Sequence, residues 1–200
     1  MSTRVMFPVF LDLADRQVLV VGAGAVAASK AAALQAAGAR VRVVAPEVSA
    51  AVEALGVPTA RRAFTAADLD DVWLVVAAAP PAVNREVAAA AASRRVFVNA
   101  VDDPAHASAY LGGVVRRAGV TLAIGTGGAA PALVGLLREG LDALLPADLD
   151  AWMRVARDER RRWKADAVPM AERRPRLVEA LQRLYARDGA GRAGAPGGLP

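Results

Sequence analysis

Apolar positions fall into short unbroken runs in the first half of the chain and into spaced stripes in the second. Gln17–Val21 is a β-branched run that ends at glycine, which predicts a strand. The alanine-rich stretch from Ala25 to Ala37 predicts a helix closed by Gly38, the residue type preferred just past a helix end. Val41–Val44 predicts a second buried strand, stopped at Pro46, and Ser49–Leu55 a short helix. Thr59–Phe64 predicts an edge strand, since Arg61 and Arg62 do not suit a sheet buried on both faces. Val72–Val76 and Val96–Asn99 predict two more strands, with a helix over about Ala82–Ser93 between them. Strands alternating with helices in this way indicate βαβ units and a parallel sheet.

The rhythm changes after Asp102. Ser108–Val115 and Val120–Gly125 flank Arg116–Gly119, a spacing that predicts a hairpin. A helix is expected to begin near Pro131, a residue suited to a first helical turn, and to run to Leu145. Asp148–Lys164 and Met170–Arg187 predict two amphipathic helices separated by Pro169. Gly189–Pro200 is rich in Gly, Pro and Ala and is expected to be disordered.

Composition narrows the chemistry. Of 200 residues 55% are hydrophobic and only 4% aromatic, too apolar and too low in charge for a disordered chain. There is no cysteine, which excludes disulfides, thiolate metal sites and a catalytic thiol. His106 is the one histidine, so a multi-histidine metal site is excluded and no resident metal is expected. No run of eighteen apolar residues exists, and Asp12, Asp15 and Arg16 interrupt the start. The expectation is a soluble cytoplasmic protein without a membrane partner. The net charge of +5 arises in the last quarter of the chain, and its cations are nearly all arginine.

Val-Leu-Val-Val-Gly22-Ala-Gly24-Ala-Val-Ala27 reads as strand, then G-x-G-x-x-A, then helix. Gly22 permits the tight turn, Gly24 lets backbone approach a pyrophosphate, and Ala27 lets the helix pack close to the strand. The helix N-terminus then receives the phosphates. This predicts a dinucleotide site in a Rossmann-like domain. An acidic residue is missing from the end of the second strand, where Val44-Ala45-Pro46 stands; Glu47 is the nearby carboxylate able to reach a ribose hydroxyl. Arg42 would favour a 2′-phosphate or be a solvated edge residue. The balance is toward NAD over NADP.

Asn99-Ala-Val-Asp102-Asp103-Pro104 follows the last parallel strand, at the carboxyl ends where open α/β sheets bind ligands. Repulsion and partial burial would raise the pKa of one of the two acids, and a carboxylate beside a nicotinamide serves as a base. The alternative is that Asp103-Pro104 is a turn and nothing more. His106 either shuttles a proton or is a solvated loop residue. In Gly125-Thr126-Gly127-Gly128-Ala-Ala-Pro131, backbone amides ahead of a helix would hold a carboxylate or other anion, or the segment is a flexible connection.

Five motifs in this order resemble the precorrin-2 dehydrogenase family, the siroheme-synthase N-terminal module. They are Phe7-Pro-Val-Phe-Leu-Asp-Leu, Gly22–Lys30, Gly38-Ala-Arg-Val-Arg-Val-Val-Ala-Pro46-Glu47, Asn99–Pro104, and Thr126–Leu133 with the helix after it. The likeness runs from about Phe7 to Leu184. It departs at Ser108-Ala-Tyr-Leu-Gly112, where relatives carry S-F-x-x-P, and at Gly125-Thr126 and Ala130, where they carry more hydroxyls. The resemblance implies NAD-dependent oxidation of precorrin-2 to sirohydrochlorin, with Asp102 tied to the chemistry. It also implies cofactor contacts at Ala25-Val26 and Pro46-Glu47, and a homodimer. His106, Thr126, Gly127 and Gly128 are candidates for the substrate side.

The resulting expectation is an α/β protein with a Rossmann-like NAD-binding domain over 1–104. A small β-hairpin/helix dimerisation region follows over 105–146, then a helical domain over 147–188 and the tail. The methyltransferase half of fused siroheme synthases is missing, so a stand-alone module is expected. A substrate with eight carboxylates suits the arginines around Arg154–Lys164 and Arg173–Arg176, although each arginine by itself reads as part of a solvated face. Nucleic acid is not expected, because no aromatic platform accompanies them beyond Trp152 and Trp163. Two other readings compete. One is a bifunctional dehydrogenase and ferrochelatase with Fe²⁺ or Co²⁺ in transit. The other is a non-catalytic dinucleotide sensor whose basic helices bind a partner.

Overall fold

The buried runs of the first half build one parallel sheet, seen in a computed structural model that describes residues 5–188. Its strands are β1 (Gln17–Val21), β2 (Arg40–Val44), β3 (Thr59–Ala60), β4 (Leu74–Ala77) and β5 (Phe97–Ala100), in spatial order β3-β2-β1-β4-β5. Crossovers are made by α1 (Ala25–Ala36), α2 (Ala50–Glu53), a single 3₁₀ turn at Ala66–Leu69, and α3 (Pro81–Arg94). All four pairings are parallel, with Val18 opposite both Val41 and Leu74. The order reverses between β1 and β4, which places a crevice at their carboxyl ends.

Strand alternation divides the core in two. Val18 and Val20 face a layer with Ala27, Ala31 and Leu34 of α1. Leu19 and Val21 face Val87, Ala88 and Ala91 of α3. Both sheet faces are therefore covered, and the central strands need unbroken apolar runs. Truncating a fully buried side chain such as Leu19 would cost about 2–5 kcal/mol.

The strand expectations of the parallel sheet hold with small shifts, whereas the strand expected over Ser108–Val115 forms only at Gly113–Arg117. The expected Thr59–Phe64 strand forms only at Thr59–Ala60, on the sheet edge. Beyond it Arg62 turns away to grip Asp68, whose carboxylate also accepts from the Thr65 backbone N–H. Arg42 is not a solvated edge residue: it is half-buried on an inner strand, and its guanidinium donates to the Asp68 carbonyl. The α3 helix runs one residue past Ser93 and stops at Arg95, which takes the left-handed conformation without a glycine to announce it.

The remaining elements are β6 (Gly113–Arg117), β7 (Val120–Ile124), α4 (Pro131–Leu144), α5 (Leu149–Ala165) and α6 (Met170–Asp188). β6 and β7 form an antiparallel hairpin whose two-residue turn, Ala118-Gly119, has positive φ at both positions. The chain divides into two compact units. One holds the residues up to Gly112 together with Gly125–Val134; the other holds Gly113–Ile124 and the chain from Gly135 onward.

Within the second unit Trp163 and Leu149 are buried, and Trp152 meets Tyr185 edge to face. Four of the arginines on α5 and α6 pair along their own helix: Arg154 with Asp150, Arg161 with Asp158, Arg162 with Glu159, and Arg176 with Glu172. Such exposed pairs add little to stability, because water and salt screen them. No helix among the described residues is long and apolar enough to cross a membrane. The tail expected to be disordered lies outside the described residues.

Candidate dinucleotide site

Three strand ends lie level at the crevice. Just past them the Gly22 N–H donates to Val44 O, the Ala78 N–H to Val21 O, and the Val101 N–H to Ala77 O, at 2.8–2.9 Å. The glycine loop leaves from the middle of this row. Gly22 has φ +104°, a conformation open to glycine. Gly24 has ordinary extended backbone, and a β-carbon placed on it would meet nothing within 4 Å. The two glycines thus serve different ends: Gly22 is required by the fold, whereas the space beside Gly24 is left free by it.

The first intrahelical bond of α1 comes from Ala28 N–H to Gly24 O, so the N–H groups of Ala25, Val26 and Ala27 have no partner among the described residues. They stand at the positive end of a twelve-residue helix beside that free space, which suits a pyrophosphate. Ala27 is 1% exposed and packed in the core, as expected for the close approach of helix to strand.

The turn after β2 closes against the same loop. Ser49 N–H donates to Ala23 O, while Pro46 and Glu47 are exposed beside it. The Ser49 hydroxyl oxygen is buried and has no hydrogen-bond partner, an orphan at the point where loop and turn meet. An unpartnered hydroxyl there, free helix N–H groups and the space at Gly24 together fit a dinucleotide.

On the far side of β1, a cavity of about 360 Å³ is lined by Val26, Ala78, Ala79, Pro81, Asn84, Val101, Asp102 and Asp103. It brings the start of α1 and the acidic motif to one place. Asp102 is exposed and has φ +56° in a turn closed by Asp103 N–H to Ala100 O, a conformation in which Asp and Asn are enriched.

The expected rise in the pKa of one acid is not met at Asp103. His106 Nδ1 lies 2.8–2.9 Å from both Asp103 carboxylate oxygens, and this hydrogen bond holds Asp103 below its usual value. His106 itself lines a separate cavity with Arg85, Val96, Val98 and Ser108. The structure therefore places Asp102 and His106 in different cavities, with Asp103 between them.

The second glycine loop joins the acidic motif. A β-carbon on Gly128 would come within 3.1 Å of Pro104, and both Gly127 and Gly128 have positive φ. The Thr126 hydroxyl accepts from the Ala130 N–H, which closes the loop on itself. Tyr110 donates to Pro104 O at 2.8 Å.

Motif reading overlooked Asn84, Ala78, Ala79 and Ser49. Asn84 had a visible mark: it is a polar residue on the stripe Asn84, Val87, Ala88, Ala91 that α3 buries.

Over residues 9–113 the chain matches the family described as "Putative NAD(P)-binding", and it belongs to that family. Among its relatives, the siroheme synthase 1 of Serratia proteamaculans is 41% identical over 172 residues, which cover 84% of this chain and 36% of that protein. The siroheme synthase of Zymomonas mobilis is 38% identical over 184 residues, covering 90% of this chain and 39% of that protein. The chain therefore spans less than two-fifths of the length of these relatives. Among solved structures it is similar to SirC, precorrin-2 dehydrogenase, with 28% identity and a TM-score of 0.67 over 87% of this chain and 88% of that one. The family resemblance carried by the five motifs is borne out.

Proposed function

We propose that the chain oxidises precorrin-2 to sirohydrochlorin with NAD⁺. The observation that carries the reading is the cavity that joins Val26, at the start of the phosphate-binding helix, to Asp102 after β5. The likeness to SirC over nearly the full length of both chains supports the same activity.

When bound, NAD⁺ supplies the hydride acceptor. The free N–H groups of Ala25–Ala27 hold the pyrophosphate, and Glu47 receives a ribose hydroxyl. A carboxylate at that position disfavours a 2′-phosphate, which favours NAD over NADP. The substrate loses a hydride and a proton, and Asp102 accepts the proton. Asp102 is suited to this because it lines the cavity while its neighbour Asp103 is occupied by His106.

A second copy of the chain covers α4. No residue of that helix is buried, and Leu136 and Leu144 are 66% and 78% exposed. Light scattering giving a monomer mass at micromolar concentration would contradict this.

The activity is tested by supplying precorrin-2 and NAD⁺ and following NADH absorbance. Growth of the NADH band with formation of sirohydrochlorin is expected; a flat trace with protein that binds NADH would remove the substrate assignment.

A further inference from the structure

A buried amide on the cavity wall has a fixed orientation and an NH₂ group with no protein acceptor among the described residues. Asn84 is 4% exposed, in the first turn of α3, and its Oδ1 accepts from the Ala79 backbone N–H at 3.0 Å. A backbone N–H can only donate, so the oxygen must face it and the amide cannot be flipped. Nδ2 is thereby held on the other side, and it has no acceptor among the described residues. This donor is not sealed in the interior: the residue lines the cavity that also holds Asp102, and Nδ2 is open to whatever occupies that cavity.

The order of the sheet says which part of a dinucleotide reaches this wall. The pyrophosphate belongs at the N-terminus of α1, and the adenosine ribose at the end of β2, where Glu47 stands. The nicotinamide half then falls on the β4 and β5 side of the switch point. The lining there suits a flat ring, since Val26, Ala78, Ala79, Pro81 and Val101 present apolar surface. Asp102 and Asp103 on the same wall disfavour a substrate carboxylate as the partner of Nδ2, which leaves a neutral acceptor oxygen.

We propose that Asn84 is a cofactor-binding residue whose Nδ2 donates to the carboxamide oxygen of the nicotinamide. Its Oδ1 meanwhile anchors the Ala79 backbone that walls the ring. The proposal rests on the dinucleotide reading above but not on the identity of the substrate.

The test is a set of titrations of the full chain with NADH, with ADP-ribose, which lacks the nicotinamide, and with the thionicotinamide analogue of NADH, whose sulfur is a poorer acceptor. The Asn84→Asp variant at pH 8 keeps an oxygen for the Ala79 N–H and removes the donor. It is expected to weaken NADH about tenfold and to leave ADP-ribose within twofold. In the wild type NADH is expected to bind more tightly than its thio analogue, and in Asn84→Ala that preference is expected to vanish.

Parallel loss of NADH and ADP-ribose in both variants, or a thio preference that survives in Asn84→Ala, would reduce Asn84 to a structural anchor. Unchanged NADH affinity in both variants would overturn the contact outright. A wild type that binds neither NADH nor ADP-ribose would overturn the dinucleotide reading, and this proposal with it. Binding of NADH with the thio preference but no turnover of precorrin-2 would remove only the substrate.

Discussion

A β-carbon on Gly22 would lie 2.1 Å from the carbonyl oxygen of Ala78, whereas one on Gly24 would touch nothing within 4 Å. The glycine loop therefore separates a residue the fold requires from one beside which the fold leaves open space. Gly22→Ala is expected to lose about 3 kcal/mol or more, or to fail to fold, because the positive φ and the backbone clash add. Gly24→Ala is expected to stay within about 1 kcal/mol of the wild type, since losing glycine at the helix cap offsets the gain from a stiffer unfolded chain. Its NADH affinity should fall at least tenfold. Denaturant unfolding and calorimetry check both halves. Equal stability losses in the two variants would contradict the division.

Asp102→Asn separates binding from chemistry. Asn tolerates the left-handed backbone at this position as well as Asp does, so the thermal midpoint and NADH affinity are expected to hold. Turnover of precorrin-2 is expected to fall about a hundredfold or more, the usual contribution of a positioned base. Steady-state kinetics near the wild-type rate would remove Asp102 from the reaction.

The sheet edge has a built-in acid sensitivity. Asp68 is 3% exposed, and Arg62 together with the Thr65 backbone and hydroxyl lowers its pKa from 3.8 to about 2. A depressed carboxylate pKa stabilises the fold above the unfolded value and loses that contribution as pH falls toward the folded one. Asp68 thus contributes about 2 kcal/mol at neutral pH, lost between about pH 4 and pH 2. Asp68→Asn is expected to flatten the stability profile across that window. A wild-type and variant difference that is the same at pH 7 and pH 2.5 would refute it.

Ser49 precedes α2 as its cap yet makes no capping hydrogen bond, and its hydroxyl oxygen is buried without a partner. Truncating a working cap costs about 1 kcal/mol. Ser49→Ala is expected to cost nothing or to stabilise the free protein, because an unsatisfied polar atom leaves the interior. A melting temperature lowered by several degrees would show that the hydroxyl is satisfied after all.

Much of the molecule was legible because local rules govern it. The unbroken apolar run of β1, the glycine past α1 and the hairpin glycine each follow from nearby residues. The expected strand at Thr59–Phe64 shrank because Arg62 found Asp68, six residues on, and sequence spacing does not announce a pairing with a buried carboxylate. The resemblance singled out Asp102, but the two acids by themselves gave no physical reason for the choice. The 3₁₀ turn that brings His106 onto Asp103 supplies one.

The sequence by itself determined the parallel sheet, its order of strands and helices, and the glycine loop between the first strand and the first helix. These depend on periodicity and on backbone conformations that few residues adopt. The tertiary structure alone decided which polar groups are already used. It brings Arg42 to the Asp68 carbonyl and Asp103 to His106; among the described residues it leaves Asn84 Nδ2 open to the cavity and Ser49 Oγ buried without a partner. Whether a donor is satisfied depends on atoms far away in the chain, and a linear pattern of residues does not contain that count.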